Sequence, residues 1–383
     1  MKRKVLVPAL GFFLVLVFLG IGLLFSAGTI VAPASGLAAV PYFQGLGSLP
    51  GGGIYGHAWD LSADGTTVTG WSDDGNVHIQ AFHWTEGTGM VGLPFLSGSD
   101  TDSEGDGLSA NGLIVAGYSG LEACRWMWIN QNGEWKWAVE GLGDLIGGSF
   151  SSRAYAISFD GQVVVGEGQS GNGTEAFRWT PAGGMVGLGD FKGGGFFSRA
   201  FGCSEDGSVV VGQGHVKNGG MAFRWTAAKG MVELGLLPRR KFSAAWACSA
   251  DGSVVVGQGW TQGNQSSLNY EQAFRWTAST GMVGLGELPG GIFYSEADGV
   301  SPDGSIVVGG SGTANGTEAF IWDSANRMRR VADYLAEKGA IVPAGWTLRY
   351  ANGVTVNNGV VTIAGWGINP DGSTEPWIAA VMQ

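Results

Sequence analysis

One run of residues recurs seven times along this chain, and that recurrence limits the possible folds more than any other feature. The clearest copy reads Ala154-Tyr155-Ala156-Ile157-Ser158-Phe159-Asp160-Gly161, then Val163-Val164-Val165-Gly166, then Glu175-Ala176-Phe177-Arg178-Trp179-Thr180, then Gly184-Met185-Val186-Gly187-Leu188-Gly189. With the Asp-Gly or Asn-Gly dipeptide as marker, the copies stand at Asp64, Asn111, Asp160, Asp206, Asp251, Asp303 and Asn358. A spacing of about 45 to 55 residues is the signature of stacked or circular repeats, in which each unit buries its apolar face only against its neighbours.

Within a copy the apolar runs are short, rich in Val, Phe and Trp, and bounded by Gly, Asn, Asp and Ser, which predicts four strands separated by turns. In the clearest copy these are Ala154 to Ser158, Gln162 to Gly166, Ala176 to Thr180 and Met185 to Leu188. Asp-Gly between the first two supplies the backbone of a tight hairpin, so the most repeated acid reads as a turn residue and not a catalytic one. Val163-Val164-Val165, Val209-Val210-Val211 and Val254-Val255-Val256 do not alternate with polar residues, so both faces of the second strand must be covered. A sheet covered on both sides by copies of itself is a propeller blade. The expected fold is therefore all-β, a seven-bladed β-propeller of four-stranded blades over residues 40–383. A right-handed parallel β-helix is the alternative, but its shorter coils need no hairpin in each copy. The seventh copy ends at Gln383 without a fourth strand, while Tyr42-Phe43-Gln44-Gly45-Leu46-Gly47 is an orphan resembling one. The N-terminal strand is thus expected to complete the last blade, leaving no open edge and a monomeric ring.

Glycine makes up 70 of 383 residues and charged residues only 14%, yet hydrophobic content is 44% with 16 Trp, so the chain has material for a core and its glycines read as turn residues. A formal charge of -11 excludes a nucleic-acid binder that works by phosphate neutralisation. Lys2, Arg3 and Lys4 precede an apolar stretch from Val5 to Phe25, and Ala32-Pro33-Ala34 offers a cleavage site, so residues 1–34 read as a signal peptide or an N-terminal membrane anchor. The protein is expected to be exported, extracellular or periplasmic, with membrane contact only through that segment. Cys203 and Cys248 occupy one slot in adjacent copies, and Cys124 replaces the repeat Phe; all three read as small buried hydrophobes and not as disulfide partners.

The order Ala-x-x-apolar-Ser-x-Asp-Gly, Val-Val-Gly, Ala-Phe-Arg-Trp, Gly-Met-x-x-Leu-Gly resembles the bacterial extracellular repeat family named for its His-Ala-Phe tripeptide, the HAF repeats. The resemblance covers nearly everything after the N-terminal segment. It implies an exported repeat protein and no established reaction. The naming His is absent: the tripeptides are Gln80-Ala81-Phe82, Glu175-Ala176-Phe177, Met221-Ala222-Phe223, Gln272-Ala273-Phe274 and Glu318-Ala319-Phe320.

A residue repeated around a ring seldom builds one site, so Arg125, Arg178, Arg224 and Arg275, and Glu122, Glu175, Glu318 and Glu375, read as structural. Residues that break the repeat in loops carry more functional information. Asp100-Thr101-Asp102-Ser103-Glu104-Gly105-Asp106 has the alternating acids of a calcium loop, with Asp100, Asp102 and Glu104 as its candidate ligands. Its twelfth position is Asn111, already a hairpin turn, so a solvated acidic loop is the plainer reading and no cofactor other than calcium is expected. Arg239-Arg240-Lys241 stands where other copies have Gly-Gly, as in Gly290-Gly291. Both segments link one blade to the next, so acidic and basic clusters are expected on one face near the channel mouth. Tyr55, Phe150, Phe196, Phe197, Phe242, Phe293 and Tyr294 fall in the same link, as mouth aromatics or as plugs between blades. Such a mouth suits a glycan or an extended peptide, which makes a non-catalytic binding module the leading reading. Two alternatives are a purely structural surface protein and a carbohydrate-active hydrolase or lyase. The enzyme would need carboxylates from different blades to converge, Asp102 or Glu104 with Glu296 or Asp298. No nucleophile elbow, phosphate loop or metal-spaced histidine set is present. After Trp322 the pattern breaks, and Val331, Tyr334 and Leu335 with Gly339 predict a short capped helix over the rim between the last two blades.

Overall fold

The computed structural model describes residues 41–76, 78–96, 102–261, 270–291 and 294–383. Seven four-stranded antiparallel sheets follow one another along the chain. In six of them the strands are used in sequence order; blade 3, for example, comprises Gly147–Ile157, Val164–Ser170, Gly173–Thr180 and Gly184–Gly187. The seventh is Thr347–Asn357, Val360–Ile368 and Thr374–Met382, completed by Tyr42–Gly45 from the other end of the chain. That clasp runs Tyr42 opposite Ala380 through Gly45 opposite Trp377, and continues as Leu46 N–H donates to the Pro376 carbonyl at 2.8 Å. Among the described residues no helix is long and apolar enough to cross a membrane.

The repeat dipeptide is a turn, as its chemistry requires. Gly161 adopts φ 72°, and Asp160 Oδ1 accepts from the Ser158 hydroxyl at 2.7 Å and from Gln162 N–H at 2.9 Å. The valine triplets serve two interfaces at once, because successive side chains of a strand face opposite sides. Val163 and Val165 pack with Ala200, Val210 and Phe223 of blade 4, while Val164 packs with Ala116 and Ala123 of blade 2. Phe82, Phe177, Phe223, Phe274 and Phe320, one in each of five blades, are fully buried in these layers.

Polar groups repeat with the same regularity and bind each blade to the next. Arg178, Arg224 and Arg275 donate to the carbonyls of Gly207, Gly252 and Gly304, the turn glycines of the following blade. Arg125 does the same to Gly161, pairs with Glu140 at 2.8 Å and lies over the Trp179 ring; in blade 1 His83 Nε2 takes the slot and reaches Gly112 O at 2.9 Å. A serine opening the first strand accepts from the Ala N–H of the preceding blade's third strand: Ser103 from Ala81, Ser152 from Ala123, Ser198 from Ala176, Ser243 from Ala222 and Ser295 from Ala273. Below these, Ala63 N–H donates to Ala110 O, Ala110 to Phe159, Phe159 to Glu205, Glu205 to Ala250 and Ala250 to Pro302, a backbone circuit from blade 1 to blade 6. Blade 7 joins it through Thr355, whose hydroxyl donates to Ala63 O at 3.1 Å. The recurrent acids are structural too. Glu122 and Glu175 accept from Gly143 and Gly189 N–H, and Glu375 holds Gly47 N–H beside the clasp.

Blade 6 keeps its fourth strand, Arg327–Arg330, although the sequence there lacks the usual glycine; Arg327 itself adopts φ 60° at the turn. The helix Val331–Glu337 follows directly. It buries Val331, Tyr334 and Leu335, the three residues of its apolar face, in a cluster with Ile321 of blade 6 and Leu348 and Trp377 of blade 7. Neither blade 6 nor blade 7 carries the Arg clamp, since Ile321 and Ile378 fill that slot, so the helix covers a seam that has lost its usual staple.

Deleting Tyr42 to Leu46 removes one whole strand of blade 7 and exposes the edge of Thr374–Met382. The deletion variant is expected to melt earlier than the parent and to associate with rising concentration in size-exclusion chromatography. A monomeric variant of parental stability would contradict the clasp.

Candidate functional site

The first strand of every blade lines a central channel, and each of these strands carries a β-bulge at the same place. Pairing slips between Ala58 and Asp60, Gly105 and Gly107, Ala154 and Ala156, Ala200 and Gly202, Ala245 and Ala247, Ala297 and Gly299, and Ala351 and Gly353. A bulge leaves its extra residue unpaired and re-aims the side chain. The glycine of each Val-Val-Gly run is the partner that makes this possible. A Cβ on Gly166 would fall on the Arg153 carbonyl oxygen, and the same holds for Gly70, Gly117, Gly212, Gly257, Gly309 and Gly365 against the oxygens of their own first strands. These glycines serve the bulge, not the turns.

The residues flanking the bulge are small because adjacent first strands nearly touch. A Cβ on Gly202 would lie 2.7 Å from the Trp246 carbonyl oxygen of blade 5, and one on Gly107 would lie 3.0 Å from Ala156 Cα of blade 3. Between these constrained positions one residue per blade is free to vary. In ring order they are Trp59, Asp106, Tyr155, Phe201, Trp246, Asp298 and Asn352, and all seven line one cavity of about 520 Å³. Phe201 and Trp246 touch, with ring centroids 4.4 Å apart, and Tyr155 meets Phe201 at 5.4 Å. Asn352 spends its amide on the Ala58 carbonyl at 2.7 Å.

Among the described residues, four carboxylates, Asp60, Glu104, Asp106 and Asp298, stand in the wall of this cavity, and none of its lining is Lys, Arg or His. Asp60 is fixed by Leu108 N–H and Leu61 N–H, both at 2.8 Å, yet burial still pushes it up to about 6. Burial raises Asp106 well above the carboxylate range, reinforced by the Glu104 charge, and raises Asp298 in the same way beside Glu296. The Oδ2 atoms of Asp106 and Asp298 are shut off from solvent and have no hydrogen-bond partner. Glu104 accepts from the Tyr118 hydroxyl at 2.8 Å, with the Arg153 guanidinium stacked over the Tyr118 ring. Glu296 accepts from the Tyr294 hydroxyl at 2.7 Å, which also meets the Tyr350 hydroxyl at 2.7 Å. Cys203 and Cys248 lie deeper, at the junction with a second, smaller cavity of about 160 Å³ towards the opposite mouth.

The sequence-derived candidates separate here. Glu104 and Asp298 share the cavity, and Glu296 stands on the same strand as Asp298. Asp102 does not join them: it accepts from Ile79 N–H at 3.1 Å and lies 3.6 Å from His78 in an exposed position. Of the calcium candidates, Glu104 stands on the extended strand Ser103–Leu108 and Asp102 just before it. Asp100 lies outside the described residues, and among those described no cluster of three or more His, Cys, Asp and Glu could hold a metal. Arg239, Arg240 and Lys241 are not in the cavity wall. Arg239 takes φ 65° in the slot where Gly290 takes 81°, Arg240 lies over Tyr270 with 6.0 Å to the ring centroid, and Lys241 N–H donates to Trp260 O. The basic triplet thus takes no part in the cavity that holds the acids. Several link aromatics act as plugs: Tyr55 packs on Trp71, Phe197 on His215 and Phe242 on Trp260, while Phe293 lies outside the described residues. Cys124 is a buried hydrophobe, but Cys203 and Cys248 face the channel as free thiols.

Asp60, Asp106, Trp59, Tyr155, Phe201 and Trp246 escaped the sequence reading. The signal is present in the aligned copies, as the one variable position between two small residues on six first strands, with Asp60 standing where those six have Ala or Gly.

No protein-family model matches the chain, and no curated protein sequence matches it. Among solved structures it is similar to the oligogalacturonate lyase of Vibrio parahaemolyticus, at 12% identity and a TM-score of 0.53, covering 88% of this chain and 93% of that one. It is also similar to TolB of Acinetobacter baumannii, at 14% identity and a TM-score of 0.43, covering 72% of this chain but only 62% of TolB. Sqt1 of Chaetomium thermophilum matches at 11% identity and a TM-score of 0.43, over 86% of this chain and 85% of that one. At such identities the likeness is one of fold: the chain is a seven-bladed β-propeller.

Asp60 gives the site a pH signature. Its folded pKa is raised from 3.8 to about 6, so its contribution to stability is complete below about 3.8 and is lost as pH rises through 6. The loss amounts to at most about 3 kcal/mol, since the side chain keeps some contact with the channel. His57 and His83, both lowered to about 4 by burial, act in the opposite direction over the same range, so the difference between two proteins isolates Asp60. Relative to the parent, the Asp60→Asn variant is expected to gain stability in urea unfolding between pH 4 and pH 7. A difference constant with pH would contradict the assignment.

Proposed function

We propose that the chain is an exported, non-catalytic binding module whose ligand, a glycan or an extended peptide, enters the central channel from the mouth bearing Glu104 and Glu296. The observation that carries this reading is the contrast around the bulges. The flanking residues are Ala or Gly in six of the seven blades, while the channel-facing residue changes from indole to carboxylate to phenol to amide. A scaffold repeated for packing with one variable position per blade aimed into a common cavity is the arrangement expected of a binding surface. Export rests on the basic start and apolar stretch of the first 34 residues, and cell fractionation tests it.

A second reading, a carbohydrate-active hydrolase or lyase at the same place, is favoured by one observation: Glu104, Asp106 and Asp298, from two blades, stand in one wall with raised pKa values. Incubation with a bound glycan separates the two, since the enzyme would release shorter chains and the module would return the glycan intact.

The test of the binding reading is a screen of the purified protein on glycan and peptide arrays, followed by the Trp246→Ala variant. Its side chain faces the channel, so the variant is expected to stay folded and to lose affinity about tenfold, or 1.4 kcal/mol. Retention on no array would favour a structural surface protein. Undiminished binding by the variant would place the ligand elsewhere.

A further inference from the structure

The two blades that carry an acid at the bulge also carry one two residues earlier, in the same short motif. Blade 2 reads Ser103-Glu104-Gly105-Asp106-Gly107 and blade 6 reads Ser295-Glu296-Ala297-Asp298-Gly299. The remaining blades have His57, Arg153, Arg199, Ala244 and Tyr350 at the earlier position, so the doubled acids are not part of the repeat. Around the ring the acid pairs bracket an arc of three aromatic rings, Tyr155, Phe201 and Trp246, contributed by the three blades between them.

A buried carboxylate without a partner is costly, and a native structure retains one where something else compensates it. Tyr118 and Tyr294 donate to Glu104 and Glu296, but nothing donates to Asp106 Oδ2 or Asp298 Oδ2. Arg153, whose charge offsets part of the rise at Glu104 and Asp106, is stacked over Tyr118 outside the cavity wall, and Arg199 is engaged with Glu167. The wall thus presents two acidic ends, each with a carboxylate oxygen that has no donor, and an apolar, π-faced middle. Ammonium groups match the ends by charge-assisted hydrogen bonding and attraction to ring faces, and a CH-rich body matches the middle.

We propose that the channel binds a ligand carrying at least two primary amines on a CH-rich body, one amine at the Glu104–Asp106 end and another at the Glu296–Asp298 end. This rests on the reading of the channel as the ligand site and specifies the ligand's charge. Two sources supply that chemistry, a free aliphatic polyamine and an oligomer of a de-N-acetylated amino sugar.

Isothermal titration calorimetry of the full chain at low salt tests it with three probes: spermidine, the glucosamine disaccharide and the N-acetylated form of that disaccharide. Binding of an amine-bearing probe is expected, with no binding of the N-acetylated one. Spermidine alone identifies a free polyamine as the ligand, and heat from the glucosamine disaccharide identifies the amino sugar. Asp106→Asn and Asp298→Asn are each expected to weaken binding about tenfold. Both variants should fold as well as the parent by circular dichroism, since each replaces a buried carboxyl that has an unpartnered oxygen with a neutral amide of the same shape. Amine probes that bind no better than the N-acetylated probe overturn the proposal, as do Asn variants that bind like the parent. Binding of the N-acetylated probe alone would overturn the charge assignment and leave the channel as a ligand site. Silence from all three probes overturns the proposal, while a neutral ligand found on the arrays and lost in Trp246→Ala would still uphold the channel.

Discussion

The architecture of the channel depends on one steric fact. Where each first strand bulges, a backbone carbonyl oxygen occupies the space in which a Cβ on the second strand would sit, so the second strand has glycine there in all seven blades. The bulge turns one extra residue per blade towards the axis, and the close approach of neighbouring first strands keeps its flanks at Ala or Gly in six of the blades. Side chains at Gly166 or Gly212 would force the strand pair apart, undo the bulge and remove Tyr155 or Phe201 from the cavity. The high glycine content therefore reflects packing around a narrow axis as much as turn formation.

The same fact explains what was legible in the sequence. Blade number, strand order, the Asp-Gly turns, the two-faced valine triplets, the terminal clasp and the helix at Val331, Tyr334 and Leu335 were readable because each is a local pattern with one physical solution. The site was readable only in part. Glu104, Glu296 and Asp298 stand out in the sequence as candidate acids, whereas Asp106 reads as part of an acidic loop and the aromatic ring carries no local mark. A bulge shifts side-chain alternation by one residue, and neither composition nor period reveals on which side of the sheet Trp59 or Trp246 will face. The basic triplet Arg239-Arg240-Lys241 stands out in the sequence but lies outside the cavity wall, because a break in the repeat does not show which side chains reach the axis.

Repetition and exception divide the work of the molecule. Arginine clamps, serine bridges and the backbone circuit hold consecutive blades in one register, and the helix and the clasp protect the seams where the chain departs from the pattern. Set against that scaffold, the carboxylates of the wall are a local loss of stability, since burial raises Asp60, Asp106 and Asp298 and only Asp106 has a cation, Arg153, that offsets part of it. Local rules are broken in this way where a structure serves a ligand.

The native cysteines allow the charge and openness of the channel to be measured directly. Cys203 and Cys248 face it, while Cys124 is fully buried and serves as an internal control. Their thiols are raised by burial, Cys248 to about 12, so absolute rates will be slow and the ratio between two reagents is the informative quantity. The rates of modification by the cationic 2-aminoethyl and the anionic 2-sulfonatoethyl methanethiosulfonates, followed by peptide mass mapping, give that ratio. An open acidic channel requires faster labelling of Cys203 and Cys248 by the cationic reagent, with Cys124 untouched by either. Equal rates for the two reagents, or no labelling of the channel cysteines, would contradict it.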